Sequence, residues 1–189
     1  VDERGFIATD EECRTDDKAV FAIGDVTGNP MLAHKASREG KVAAEVIAGH
    51  PAGFDNRAVP AVVFTDPEIA WSGLTEREAE ERGLPVKVGR FPLAALGRAR
   101  TMGRTEGLVK VLTRPGSDRI LGAVVVGHNA AELIGEFVTA MRSGHGLNRI
   151  LGTIHPYPTW GEANRFAAGA WKRAHAPRRL LRLLERYHA

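Results

Sequence analysis

The stretch Ile154-His155-Pro156-Tyr157-Pro158-Thr159-Trp160-Gly161-Glu162 decides how this chain is read. Each proline ring locks its own φ and moves the preceding residue out of the helical region, so Pro156 and Pro158 set a stiff, extended loop. Beyond Pro158 the prolines stop and the run to Lys172 is rich in alanine. That predicts a helix starting near Thr159, with Thr159 as N-cap and Glu162, three residues on, closing a capping box. A rigid loop then presents His155 and Tyr157 at a helix start. Spacing alone gives no more than a proline-stapled turn before a capped helix.

Working outward, the segments on the N-terminal side read as a sheet with helices. Asn129 to Ser143 has helical periodicity, with Leu133, Ile134, Phe137, Val138 and Met141 on one face. Gly107 to Thr113 and Ile120 to Gly127 are strands, and Pro115-Gly116-Ser117-Asp118 between them is a hairpin turn, so the two pair antiparallel. Val86 to Phe91 alternates like a strand. Ala61 to Phe64 and Ile69 to Trp71 are strands broken at Asp66-Pro67, and Thr75 caps a short helix that Gly83 and Pro85 end. The expected fold class is α+β, an antiparallel sheet with flanking helices.

The first fifty residues follow a different grammar. Gly5 to Ala8 is a short strand candidate, and the apolar run Ala19 to Ile23 fits a buried parallel strand. A loop from Gly24 to Pro30 follows, then helical periodicity from Met31 to Gly49. Strand, glycine loop and helix place a ligand at a strand's C-terminal edge and a helix N-terminus. The breaks in His50 to Val59 predict a linker, with a domain boundary near residue 55. An apolar strand ending in Gly24-Asp25 exposes one carboxylate beside a backbone that glycine lets a ligand approach, although Gly-Asp by itself is equally an Asx-type turn.

Three sets of residues carry a resemblance to the flavoprotein disulfide reductases, the group of dihydrolipoamide dehydrogenase, glutathione reductase, mercuric reductase and soluble transhydrogenase. Phe21-Ala22-Ile23-Gly24-Asp25 with Met31-Leu32-Ala33-His34-Lys35-Ala36 is similar to the second flavin-binding motif of that family. Phe64 to Ala70, Gly103 to Gly107 and Ile120 to Ala123 resemble its dimerisation domain, and residues 154–162 resemble its C-terminal active-site loop. The resemblance runs from about residue 1 to about residue 170 in the family's order. It implies that residues 1–54 are the end of an α/β FAD-binding domain and that residues 55–175 are the dimerisation domain; outside the resemblance, residues 176–189 read as a basic C-terminal helix. It implies FAD contacts at Gly24, Asp25, Met31, Leu32, Ala33 and His34, with Asp25 on the ribityl chain and the Ala33 N–H at a helix start. It also implies NAD(P)H as co-substrate, a homodimer, and active-site roles for Tyr157 and Glu162. In the lipoamide and glutathione members a His stands five residues before the Glu. Here that place is Tyr157, as in the mercuric reductase and transhydrogenase members.

The family's glycine-rich dinucleotide fingerprints and redox cysteine pair do not occur in these 189 residues, and the chain opens without Met, so it reads as the C-terminal third of a flavoprotein. The other reading is a non-catalytic dimerisation module in isolation. The C-terminal cysteine pair of mercuric reductase is also missing, since the chain ends Arg186-Tyr187-His188-Ala189.

Composition agrees with a globular protein: 43 % hydrophobic, 26 % charged and one cysteine. No run reaches about 18 apolar residues, so no transmembrane helix is expected. A lone Cys13 excludes an internal disulfide, suits a cytoplasmic setting, and sits among acidic neighbours that disfavour a thiolate. Residues 171–189 hold Lys172, Arg173, Arg178, Arg179, Arg182 and Arg186 against Glu185, so the basic character is a tail property and no nucleic-acid face is expected. The tail predicts a surface helix packing Leu180, Leu184 and Tyr187 on its own domain, in preference to an anionic membrane. Neither His34 nor His155 has a second ligand at helical spacing, so no metal site is expected.

Overall fold

The computed structural model describes residues 1–56 and 58–176, so the expected basic helix at 176–189 lies outside the described residues apart from Ala176. The described chain forms two compact units, Val1–Asn56 and the residues from 58 onward.

The first unit holds a 3-10 turn, Gly24–Thr27, and helix α1, Ala33–Ile47. Val42, Ala43 and Val46 of α1 pack on Cys13, with Phe21 and Ala52 at the edge of the cluster. Gly5–Ala8 and Ala19–Ile23 do not form the expected strands. Phe21 makes a single antiparallel bridge with Arg14, and Ile7 N–H donates to the Val26 carbonyl at 2.8 Å. A strand exists only on a ladder with a neighbour. Among the described residues of this unit none runs alongside, and Val20 and Ile23 stay 48 % and 42 % exposed.

The second unit is a five-stranded antiparallel sheet in the order β1-β2-β5-β4-β3, made by β1 (Pro60–Val63), β2 (Glu68–Gly73), β3 (Lys87–Pro92), β4 (Leu108–Thr113) and β5 (Ile120–Gly127). Register puts Ala70, Val125 and Val109 in one row and Ser72, Ala123 and Val111 in the next. Because side chains alternate along a strand, both rows face the same side. All six residues are buried there, under helices α4 (Ala130–Arg142) and α6 (Glu162–Ala174). Leu133, Ile134 and Phe137 of the expected face are buried in α4, Val138 and Met141 of it are partly buried, and Ala130 and Ala140 join the buried stripe. The last turn of α6 lies close on β3, where a Cβ on Gly89 would stand 2.4 Å from Trp171 Cβ. Trp171 Nε1 donates to Thr113 Oγ1 at 2.9 Å, so the indole is both buried and satisfied.

Helix α2 (Glu76–Glu81) is capped by Thr75 as expected, within a complete capping box with Glu78, and α5 (Leu147–Gly152) packs on α6. Sequence periodicity does not disclose the 3-10 turn Leu93–Ala95 or α3 (Gly97–Thr101). Both are too short to display a helical period, yet Leu93, Leu96 and Ala99 are fully buried.

Helix α6 starts later than expected. Gly161 is its N-cap, already helical at φ −59 and ψ −26. Only half of the expected capping box forms: Thr159 N–H donates to Glu162 Oε2 at 3.1 Å, while Thr159 Oγ1 is drawn back to the Pro156 carbonyl at 2.7 Å. With Gly161 as N-cap, Glu162 is the first helical residue and no longer the third after the cap, so the reciprocal bond to Thr159 does not form.

Candidate functional site

The residues singled out in the sequence fall into two groups, one in each unit. In the first, Gly24 sits at φ +77, where a Cβ would meet Ala36 Cβ at 3.2 Å, so the turn demands glycine. Gly24 N–H donates to Glu39 Oε2 at 2.7 Å, and Glu39 Oε1 pairs with Lys35 Nζ at 2.8 Å. Lys35 Nζ also donates to Thr27 Oγ1 at 3.1 Å, and that hydroxyl donates to the Gly24 carbonyl at 2.8 Å. A buried Lys35–Glu39 pair on α1 thus clamps both ends of the turn. Its i,i+4 spacing is visible in the sequence, but its burial is not.

The clamp leaves Asp25 exposed, and the Asp25 side chain takes no part in the hydrogen bonds that shape the turn. Met31, Ala33 and His34 are exposed and Leu32 is half-buried. Leu32 is the extended N-cap of α1 without a side-chain cap, so the first N–H groups from Ala33 onward lie at an uncapped helix end. The structure therefore brings Gly24, Asp25 and Met31 to His34 together around one turn and one helix N-terminus. An exposed carboxylate next to uncapped N–H groups offers acceptors to a polyol and donors to an anionic ring edge. Cys13 is buried beneath, its thiol pushed up by burial first and by Glu39 second, which fits the expected lack of reactivity.

In the second unit, Tyr157 is 80 % exposed, with its ring at van der Waals distance from the position a Gly97 side chain would take. Trp160, buried at 8 % exposure and 5.2 Å from the His128 ring, anchors the loop to the core. Glu162 is buried and accepts from Thr159 N–H, so it is tied to the loop backbone and not to Tyr157. His155 is held by two acceptors, the Thr153 carbonyl at Nδ1 (3.1 Å) and Glu136 Oε1 at Nε2 (2.9 Å). Glu136 and Asn164 escape sequence reasoning, because no local pattern links Glu136 to a loop residue 19 positions away or Asn164 to Glu136 28 positions away.

With this geometry in place, residues 59–168 match the model of the pyridine nucleotide-disulphide oxidoreductase dimerisation domain, and residues 1–40 match the pyridine nucleotide-disulphide oxidoreductase model. The chain belongs to the pyridine nucleotide-disulphide oxidoreductase family. It is 52 % identical over 169 residues to dihydrolipoyl dehydrogenase 2 of Haloarcula marismortui, covering 89 % of this chain and 36 % of that protein. It is 45 % identical over 166 residues to the dihydrolipoyl dehydrogenase of Bacillus subtilis, covering 88 % and 35 %. The chain thus spans about a third of the length of these relatives. Among solved structures, the HOCl-induced flavoprotein disulfide reductase RclA of Escherichia coli superposes with a TM-score of 0.81 at 28 % identity, covering 89 % of this chain and 39 % of that one. LpdA of Mycobacterium tuberculosis gives 0.81 at 28 %, covering 90 % and 37 %. In this family member the sheet of the second unit lies within the dimerisation-domain match, and the Gly24 turn lies within the other.

Proposed function

We propose that this chain is the C-terminal part of an FAD-dependent, NAD(P)H-linked oxidoreductase, with residues 1–54 completing the FAD-binding domain and residues 55–175 forming the dimerisation domain of a homodimer. The observation that carries the reading is the clamped turn that leaves Asp25 beside the N-terminus of α1. When bound, FAD supplies two-electron chemistry between a nicotinamide and a second acceptor. Asp25 accepts hydrogen bonds from ribityl hydroxyls, and the Ala33 N–H, at a helix end worth roughly half a positive charge, stabilises negative charge on the ring edge. Gly24, Met31, Leu32 and His34 shape the contact surface around those two groups.

The exposed Tyr157 is the group this chain offers to a partner subunit's site. The relatives' name points to the lipoamide dithiol/disulfide couple as the second substrate, and Tyr157 argues against it. A His there, with an ordinary pKa of about 6.5, exchanges protons with a dithiol near neutrality, whereas a phenol, at about 10, is a poor base. The acceptor is therefore one to which a hydroxyl donates, and Glu162 serves to hold the loop. A cytoplasmic setting fits the single buried cysteine.

Assays of the full-length protein with NADH or NADPH against lipoamide, glutathione disulfide, mercuric ion and a second, oxidised nicotinamide test the reading. Expected are a bound yellow flavin that the nicotinamide reduces, and turnover of lipoamide far below that of the best acceptor. A full-length protein without flavin would overturn the assignment, and robust lipoamide turnover would overturn the acceptor argument. The 189-residue chain alone should be colourless, because one charge-assisted bond from Asp25, about 1.5–3 kcal/mol, does not hold a dinucleotide.

A further inference from the structure

Three side chains from different elements meet behind the Tyr157 loop. His155 bridges the Thr153 carbonyl and Glu136 Oε1, and Glu136 Oε2 accepts from Asn164 Nδ2 at 2.9 Å. The same Asn164 nitrogen donates to the Leu133 carbonyl at 2.9 Å, and Asn164 is 1 % exposed. Its amide has only one workable orientation, since flipping it would set an oxygen against a carbonyl and a carboxylate. Both partners of the His155 ring are acceptors, so the bridge closes only with a proton on Nδ1 and another between Nε2 and Oε1. Glu136, from α4, is thereby fixed between the loop and α6.

We propose that His155 and Glu136 are positioning residues for Tyr157: their contact, backed by Asn164, pins the loop to α4 and α6 and sets the phenol over Gly97. The proposal rests on the reading of Tyr157 as an active-site group. A competing idea is that the His155–Glu136 pair replaces the missing acid-base dyad. The geometry rejects it, because both ring nitrogens are engaged and the His155 side chain is only 9 % exposed, leaving no nitrogen for a substrate. His145 and Arg149 line a cavity together with Glu136 and Thr153, whose polar atoms hold the His155 ring.

The test is a set of variants in the full-length flavoprotein: His155→Gln, Glu136→Gln, Tyr157→Phe, and each of the first two combined with the third. Amide hydrogen exchange over residues 153–161 should quicken about tenfold or more in His155→Gln and Glu136→Gln, with exchange in β4 and β5 unchanged as an internal control of folding. Turnover of the best acceptor should fall by about tenfold in the same variants, while the rate of flavin reduction by nicotinamide stays at the wild-type value. Neither substitution should cost further turnover once Tyr157 is Phe. Wild-type exchange over 153–161 in both variants, or an equal loss with and without the Tyr157 hydroxyl, would overturn the proposal. Should His155→Gln fail the folding control, Glu136→Gln, which keeps side-chain shape, carries the test alone. Failure of the functional reading is distinct, since it would be seen in the wild-type protein as a flavin that nicotinamide does not reduce.

Discussion

The carboxylate of Glu76 accepts from Lys110 Nζ at 2.7 Å through one oxygen and from Arg90 Nη2 at 2.5 Å through the other, tying α2 to two neighbouring strands. Lys110, and then Arg90, hold the carboxyl below the usual carboxylate range. A folded value below the unfolded one means stability that is present above the unfolded pKa and lost as pH falls through the folded one. The pair is about a third exposed, so its contribution is discounted to roughly 0.5–1 kcal/mol. Thermal unfolding of wild type and Glu76→Gln should therefore differ at pH 7 and draw together as pH falls below the ordinary glutamate pKa of about 4.3 and on through the lowered folded one. A difference that stays constant with pH would count against the bridge.

Replacing Gly24 by Ala combines a left-handed backbone with a Cβ 3.2 Å from Ala36 Cβ. The expected cost is about 1–3 kcal/mol, read as a lower urea midpoint at an unchanged slope. In the full-length protein the same variant should release flavin more readily, measured by fluorescence of the free cofactor after dilution. A midpoint within error of wild type would mean that the turn relaxes without strain.

The Lys35–Glu39 pair is nine-tenths buried on both sides, and each partner also satisfies the Gly24 turn. Lys35→Met strands the Glu39 charge and should cost about 3–5 kcal/mol, whereas Lys35→Met with Glu39→Met removes both charges and should cost less. Chemical denaturation of the single and double variants decides it. A double variant worse than the single would show that the two hydrogen bonds to the turn outweigh the buried charge.

On the proposed reading Tyr157 acts through its hydroxyl, so Tyr157→Phe should slow the best acceptor by about tenfold and leave flavin reduction by nicotinamide unchanged. Tyr157→His should raise turnover of dihydrolipoamide with NAD(P)⁺, because an imidazole, a better base than a phenol near neutrality, then stands on the exposed loop. Stopped-flow flavin absorbance separates the two half-reactions. Unchanged kinetics in Tyr157→Phe would reduce the residue to a packing role.

Two identical-looking signatures divide what the sequence determines from what tertiary structure decides. Thr75 and Glu78 form both halves of a capping box, with Thr75 Oγ1 accepting Glu78 N–H at 3.2 Å and Glu78 Oε2 accepting Thr75 N–H at 2.9 Å. Everything that box needs lies within four residues. Thr159 and Glu162 have the same spacing, but α6 begins at Glu162 with Gly161 as its cap, and only the Thr159 N–H to Glu162 half of the box forms. The antiparallel strands, the β4–β5 hairpin, the buried stripe of α4 and the Gly24-Asp25 turn before α1 were likewise legible, because period and turn chemistry are local properties. Strand formation at Ala19 to Ile23 was not, since a strand depends on a neighbour that no run of apolar residues can supply. The burial of Lys35 and Glu39 and the meeting of His155, Glu136 and Asn164 were decided by packing alone: these contacts join residues up to 28 positions apart, and hydrogen-bond partners brought together by helix packing leave no period in the chain.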